Sequence, residues 1–257
     1  MPYQIPFLKA QGLGNDFMIV DLETLPKTEC DWHLMARTLS DRRLGIGFDQ
    51  LLLFKEHHVW FYNADGSFAE TCGNGTRCLA YHLMKKKHIR SIDIQTPAGP
   101  VHCILNPDDS VTVQMPSPSV IEEKSLVAQA DLFKHFPIYV RIGNPHLVCF
   151  VDNLDDLHEY GPILARQDVN VGFVKLQDFN TLTLKVWERG TGLTPACGSG
   201  ACASVIAAQH HQLVGEKVIV SQEGGDLIIE YKDHIVLMTG KAQIVFEGRI
   251  SRSSWGS

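Results

Sequence analysis

Cys72-Gly73-Asn74-Gly75-Thr76-Arg77-Cys78-Leu79-Ala80 and Cys197-Gly198-Ser199-Gly200-Ala201-Cys202-Ala203 are two copies of one pattern. Each reads Cys-Gly-x-Gly and runs into an apolar stretch, Leu79 to Met84 in the first copy and Ala201 to Ala208 in the second. With the two cysteines aligned, Tyr62 falls on Trp187 and Asn63 on Glu188, and Gly47-Phe48 falls on Gly172-Phe173. Further upstream, Gly14-Asn15-Asp16-Phe17-Met18-Ile19-Val20 parallels Gly143-Asn144-Pro145-His146-Leu147-Val148-Cys149. A repeat at this scale sets the architecture before any motif is named: the chain is two related halves.

Around the repeat, short β-rich runs alternate with helical ones. The β-rich runs are 17–22, 50–54, 59–63, 92–96, 101–105, 111–114, 138–142, 147–150, 181–188, 217–221, 227–231 and 235–239. Helical patterns cover 31–40, 75–87, 154–164 and 200–212. Met115-Pro116-Ser117-Pro118-Ser119 reads as a linker. It separates a first domain, 1–115, joined by the C-terminal segment 243–257, from a second domain, 116–242. The expected class is α/β (α+β) with two pseudo-symmetric domains.

Composition removes several functions. A formal charge of −6 over 257 residues argues against a nucleic-acid partner. The basic run Lys85-Lys86-Lys87 follows an apolar helical stretch and suits the negative end of a helix dipole. No run of apolar residues approaches the length that spans a bilayer, and Met1 to Pro6 lacks the pattern of a signal peptide, so a cytoplasmic protein without a membrane partner is expected. In that reducing compartment the seven cysteines should be free thiols.

Cys72 and Cys197 are expected to react. A helix opens with N–H groups that lack partners inside the helix, and these favour a thiolate at its entrance. The same groups bind a carboxylate, and flanking glycines let the backbone approach it. Two such units serving one carbon could take a proton from one face and return one to the other, which is what inversion of a Cα centre requires. Cys30, Cys78, Cys103, Cys149 and Cys202 lack this setting and read as packing residues. Neither a metal nor a cofactor is expected. Cys72/Cys78 and Cys197/Cys202 do not have zinc-ligand spacing, Gly73-Asn74-Gly75 and Gly190-Thr191-Gly192 lack the third glycine of a dinucleotide loop, and no lysine is marked for a Schiff base.

Taken in chain order, Gly12 to Phe17, Asp41 to Gln50, Asn63-Ala64-Asp65-Gly66-Ser67, the first cysteine unit, Gly143-Asn144-Pro145-His146, Trp187-Glu188-Arg189-Gly190-Thr191-Gly192 and the second cysteine unit resemble the diaminopimelate epimerase family. The resemblance implies two domains, each a β-barrel-like sheet around a central helix, with the active site in the cleft between them. It implies isomerisation of LL- and meso-2,6-diaminopimelate by Cys72 and Cys197, with His146 and Glu188 tuning the thiols. By the same resemblance Gly73, Asn74, Gly198 and Ser199 hold the α-carboxylate, and Asn15, Asn63, Asn144, Asn170, Glu188 and Arg189, with Gln50 nearby, hold the distal amino-acid group. A homodimer is compatible with it. The sequence departs from the family pattern at Phe48, Phe68, Gly172, Leu193 and Pro195.

Three other readings stay open at this level. A racemase for proline, hydroxyproline or histidine would have no use for Glu188-Arg189 together with Asn63, Asn144 and Asn170. A Cys–His hydrolase using His146 would need one cysteine only. A binding protein would hold the amino acid without exchanging its α-proton.

Overall fold

In a computed structural model of the chain, residues 4–25, 30–122, 133–165 and 169–251 are described. They fall into two compact units, 1–113 with 241–257, and 114–240.

The first unit contains β1 (Gln4–Gly12), β2 (Asn15–Asp21), α1 (Trp32–Leu39), β3 (Gln50–Lys55), β4 (His58–Asn63), β5 (Phe68–Ala69), α2 (Gly73–Lys87), β6 (Ser91–Thr96), β7 (Gly99–Leu105) and β8 (Val111–Met115), which starts in this unit. The second contains β9 (Ser119–Glu122), β10 (Ile138–Ile142), β11 (Asn144–Phe150), α3 (Leu157–Leu164), β12 (Asn170–Asp178), β13 (Thr181–Glu188), β14 (Gly192–Thr194), α4 (Gly198–His210), β15 (Lys217–Gln222), β16 (Gly225–Lys232) and β17 (Ile235–Gly240). The last strand, β18 (Gln243–Ser251), returns to the first unit and pairs with β1.

Strand order is β18-β1-β2-β3-β4-β6-β7-β8 in the first unit and β9-β10-β11-β12-β13-β15-β16-β17 in the second. The senses match throughout. β2/β3 and β4/β6 are parallel, as are β11/β12 and β13/β15, and the other neighbours in each order are antiparallel. The short strands β5 and β14 flank β4 and β13.

Each sheet curls around its central helix. α2 packs against β1, β2 and β18 at one end of the order and against β6 and β7 toward the other. α4 touches β10 to β13 and β15 to β17. A helix surrounded in this way must be apolar on every side, and small residues let the strands come close. Accordingly α4 is buried without interruption from Gly200 to Ala208, four of those residues being alanine. Its one hydroxyl there, Ser204 Oγ, is satisfied by donating to Gly200 O at 2.8 Å. α2 is buried continuously from Asn74 to Ala80, and its lysines emerge at the last turn, where His88 ends the helix in the left-handed region (φ 54°).

The structure extends the expected elements and adds six strands. β1 escapes pattern reading because Lys9 holds a core-facing position between apolar ones; it bonds Asp16 and the Gly47 carbonyl. β18 is largely exposed on both faces, β9 lies at the edge of the Pro/Ser run, and β5 and β14 are short. β12 opens with five buried residues in a row and so lacks alternation. Expected helix 154–164 divides into a 3-10 turn, Leu154–Asp156, and α3.

One alignment of the repeat is corrected. Gly172 and Phe173 lie inside β12, whereas Gly47 and Phe48 precede β3. Strand order makes Gln50 and Asn170 equivalent, because each opens the strand parallel to β2 or β11. The matching distance to the cysteines arises because the β12–β13 hairpin is longer than β3–β4. Phe48 is buried in a cluster with Met18, Leu39 and Leu51. A Cβ at Gly172 would come within 3.3 Å of Leu184 Cδ1, so the small residue suits this strand. Phe68 and Leu193 are exposed, and residues 252–257 of the C-terminal segment lie outside the described residues.

Burial around α2 sets an expected cost. Leu79 is fully buried, so Leu79→Ala should lower the unfolding free energy by about 2–5 kcal/mol in urea titration. A loss of only a few tenths would contradict a helix enclosed by its sheet.

Candidate functional site

Within each unit the suspected residues converge at one end of the sheet because of strand sense. β2 and β3 are parallel and start together, and β4 runs back to end beside them: Phe17 faces Gln50, and Gln50 faces Asn63. Asn15, Gln50 and Asn63 therefore occupy one edge of the first unit. In the second, His146 faces Asn170 and Val171 faces Trp187, which places Asn144, His146, Asn170 and Glu188 at the corresponding edge. The helix entrances meet these edges. Cys72 caps α2, followed by Gly73 and Asn74, and Cys197 caps α4, followed by Gly198 and Ser199. Position by position, Asn15 corresponds to Asn144, Gln50 to Asn170, Asn63 to Glu188, Cys72 to Cys197 and Asn74 to Ser199.

Hydrogen bonds hold the first set. Asn15 Nδ2 donates to Asp49 Oδ2 at 2.7 Å, and Asn74 Nδ2 donates to Asn15 Oδ1 at 3.4 Å. Gln50 Nε2 donates to Asn63 Oδ1 at 2.8 Å, and Asn63 Nδ2 to Ser67 Oγ at 2.9 Å. The buried Gln50 Oε1 accepts no hydrogen bond among the described residues. The Gly75 N–H donates to Cys72 Sγ at 3.2 Å, so the sulfur itself takes one of the orphan donors of the helix start. A Cβ at Gly75 would sit 3.1 Å from both Cys72 Sγ and Leu52 Cδ2, which is why glycine stands there.

The second set is built differently on the same positions. Cys197 is 5% exposed, and burial raises its thiol pKa well above the usual value. The Glu188 carboxylate adds to the rise by charge and by a hydrogen bond with the thiol; the Gly200 N–H and Ser199 oppose it. As at Cys72, the sulfur of Cys197 lies against the N–H three residues on, that of Gly200, but this contact falls short of capping geometry. Glu188 Oε1 accepts from Thr194 Oγ1 at 2.6 Å. Ser199 Oγ lies 3.7 Å from Cys197 Sγ and 3.0 Å from His146 Nε2. Asn170 Oδ1 accepts from the Arg189 N–H at 2.9 Å, fixing the backbone that carries this exposed arginine.

His146 occupies the core-facing place that Phe17 fills in the first unit, and it is 1% exposed. Burial lowers its pKa to about 3, so the ring is neutral at physiological pH. Burial acts on three further thiols, pushing Cys78 and Cys103 up to about 12 and Cys149 higher still, which disfavours their thiolates. Among the described residues, no group of three or more His, Cys, Asp or Glu is placed to hold a metal ion.

Four contributors escape sequence reading. Asp49 accepts from Asn15, Arg77 Nη1 donates to Asn74 Oδ1 at 3.0 Å, Thr194 bonds Glu188, and Gln222 Oε1 accepts from the Cys197 N–H at 2.8 Å. The repeat gives no signal for Gln222. Its counterpart at the end of β6, Thr96, turns back to the Gly99 carbonyl of its own hairpin.

His146 carries a pH signature. Its folded pKa is depressed, so on acidification below about 6.5 the unfolded chain takes up a proton that the folded chain refuses until about pH 3. Stability should fall through that window by up to about 1.4 kcal/mol per pH unit from this residue. Urea titrations at pH 7.5 and 5 should show a smaller acid loss for His146→Phe; an equal loss would mean the ring titrates normally.

The family model described as diaminopimelate epimerase matches residues 7–121 and 138–245. A diaminopimelate epimerase of Azotobacter vinelandii is 37% identical, over 95% of this chain and 98% of its own length. One from Phenylobacterium zucineum is 36% identical, over 95% and 97%. Among solved structures, a hydroxyproline epimerase from Agrobacterium vitis superposes with a TM-score of 0.73 at 14% identity, covering 98% of this chain and 94% of that one. A PhzF-family phenazine biosynthesis protein from Bacillus anthracis gives 0.72 at 17%, covering 96% and 99%. These two likenesses concern the fold.

Proposed function

The chain belongs to the diaminopimelate epimerase family, and from that premise we propose that it interconverts LL- and meso-2,6-diaminopimelate in the cytoplasm, on the route to lysine, with Cys72 and Cys197 as the two acid–base groups. Inversion needs a proton to leave one face of Cα and another to arrive at the opposite face. The observation that carries the reading is the contrast between two equivalent sulfurs. Cys72 receives a backbone N–H, which favours negative charge on sulfur. At Cys197 burial and then the Glu188 carboxylate outweigh the corresponding Gly200 N–H and favour the protonated thiol. One sulfur is thereby suited to accept the α-proton and the other to supply one. Transfer in the opposite direction exchanges the roles, with Glu188 accepting the proton from Cys197.

The remaining residues bind and polarise the substrate. N–H groups of Gly73 and Asn74 and of Gly198 and Ser199, at the two helix starts, donate to the α-carboxylate and stabilise the charge that develops as the proton departs. His146, neutral, orients Ser199 beside Cys197. The distal group is a zwitterion: Arg189 meets its carboxylate, Glu188 its ammonium, and Asn15, Asn63, Asn144 and Asn170 supply amide contacts. The unpaired Gln50 Oε1 offers a further acceptor to an ammonium. A substrate such as proline, with no distal zwitterion, would leave this set unused, which favours diaminopimelate over a proline-type racemase reaction.

The decisive assay is conversion of LL- to meso-diaminopimelate in deuterated water, with proline and histidine as controls. Deuterium should appear at the inverted carbon of the product, with no turnover of the controls. Cys72→Ala and Cys197→Ala should each lose at least about 100-fold in kcat, whereas Cys202→Ala, a buried packing thiol, should stay within a few-fold. Near-normal turnover by either of the first two would defeat the two-thiol reaction.

A further inference from the structure

Two asparagines, Asn15 and Asn74, sit in a chain of hydrogen bonds whose ends are of opposite kind. At one end is Arg77, fully buried, whose guanidinium can only donate. Its Nη1 donates to Asn74 Oδ1 at 3.0 Å, and its Nε to the Lys241 carbonyl at 3.1 Å. At the other end is Asp49, whose carboxylate can only accept. Its Oδ2 takes Asn15 Nδ2 at 2.7 Å and the Asp16 N–H at 3.1 Å, while its Oδ1 takes Arg42 Nη2 at 2.8 Å. Between them Asn74 Nδ2 donates to Asn15 Oδ1.

An amide side chain has two faces that differ only in whether they give or take a hydrogen, and shape alone does not choose between them. Here the termini choose. Turning Asn74 over would set its NH2 against the buried guanidinium, donor to donor. Turning Asn15 over would set its oxygen against a carboxylate. We propose that Arg77 and Asp49 are positioning residues that lock the amides of Asn74 and Asn15 in one orientation, so that each keeps one N–H for a carboxylate of the substrate.

Each amide spends one of its two N–H bonds inside the chain, Asn74 on Asn15 and Asn15 on Asp49, and retains the second. Both retained groups are donors, which suits an anion and rejects a cation. Gly12 preserves the arrangement, since a Cβ there would come within 2.7 Å of Arg77 Nη2. The substrate assignment rests on the function proposed above; the locking of the amides does not.

The test is made on the full chain with Asp49→Asn and Asp49→Glu, and with Arg77→Gln and Arg77→Lys at the buried end. The Asp49 side chain is 41% exposed, so its variants should fold, as a thermal melt will show. Asparagine can donate as well as accept and releases the lock. Asp49→Asn should therefore raise KM for LL-diaminopimelate about tenfold, the scale of one misdirected hydrogen bond, with kcat within about threefold. Asp49→Glu restores an acceptor-only partner and should bring KM back to within about threefold of the wild-type value. Arg77→Lys should exceed Arg77→Gln in the same way, and if either fails to fold the Asp49 pair decides. A folded Asp49→Asn with unchanged KM, or Glu and Asn variants equally impaired, overturns the proposal. NMR separates this from failure of the catalytic reading. If wild type does not turn over diaminopimelate, the Asn15 and Asn74 side-chain NH2 signals still report the lock. They should be sharp and distinct in wild type and exchange-broadened in Asp49→Asn; identical spectra would overturn it.

Discussion

A helix that begins inside a protein presents backbone N–H groups that neither the helix nor water can satisfy, and most of what surrounds α2 and α4 answers that demand. At α2 the capping atom is sulfur, a weak acceptor when protonated and a better one when charged. One contact, Gly75 N–H to Cys72 Sγ, thus satisfies a backbone group and favours negative charge on the sulfur. The curled sheet exists, in this sense, to bury the helix body while leaving its first turn at an edge where β2, β3 and β4 deliver their terminal side chains.

The second unit shows how far chemistry can diverge on an unchanged frame. Every strand has a counterpart of the same sense, yet the positions at the edge differ in what they give and take. Asn63 becomes Glu188, Asn74 becomes Ser199, and the core phenylalanine Phe17 becomes His146. The consequence is electrostatic. Both sulfurs lie against a backbone N–H, but burial and the Glu188 carboxylate raise the Cys197 thiol, so two groups of identical chemistry sit in different fields.

Much of this was visible in the sequence, for identifiable reasons. The Cys-Gly-x-Gly repeat, with Asn63 and Glu188 upstream of it, survives because backbone geometry at a helix entrance leaves few alternatives. β13 and β10 are legible to their observed ends because alternation is clean there. Where a strand carries a polar residue inward, as β1 does at Lys9, or is exposed on both sides, as β18 is, periodicity says nothing. The supporting residues were hidden for another reason. Asp49 and Gln222 act on partners distant in the chain, and Arg77, one helical turn from Asn74, is anchored by the distant Lys241 carbonyl; an aspartate, an arginine and a glutamine look the same in sequence whether they orient a neighbour or face solvent. The match of Gly47-Phe48 to Gly172-Phe173 fails because it requires the halves to keep equal lengths.

They do not, and where they differ is telling. Gln50 to Asn63 spans 14 residues and Asn170 to Glu188 spans 19, yet both hairpins return to the same edge. The surplus has gone to the remote turn at Phe179 and Asn180, with a bulge near Leu176 absorbing the change of register. The hairpin can therefore differ in length at that tip while the strand ends at the edge keep their pairing. The same tip is a rational place to graft a reporter peptide or a fluorophore into a working enzyme.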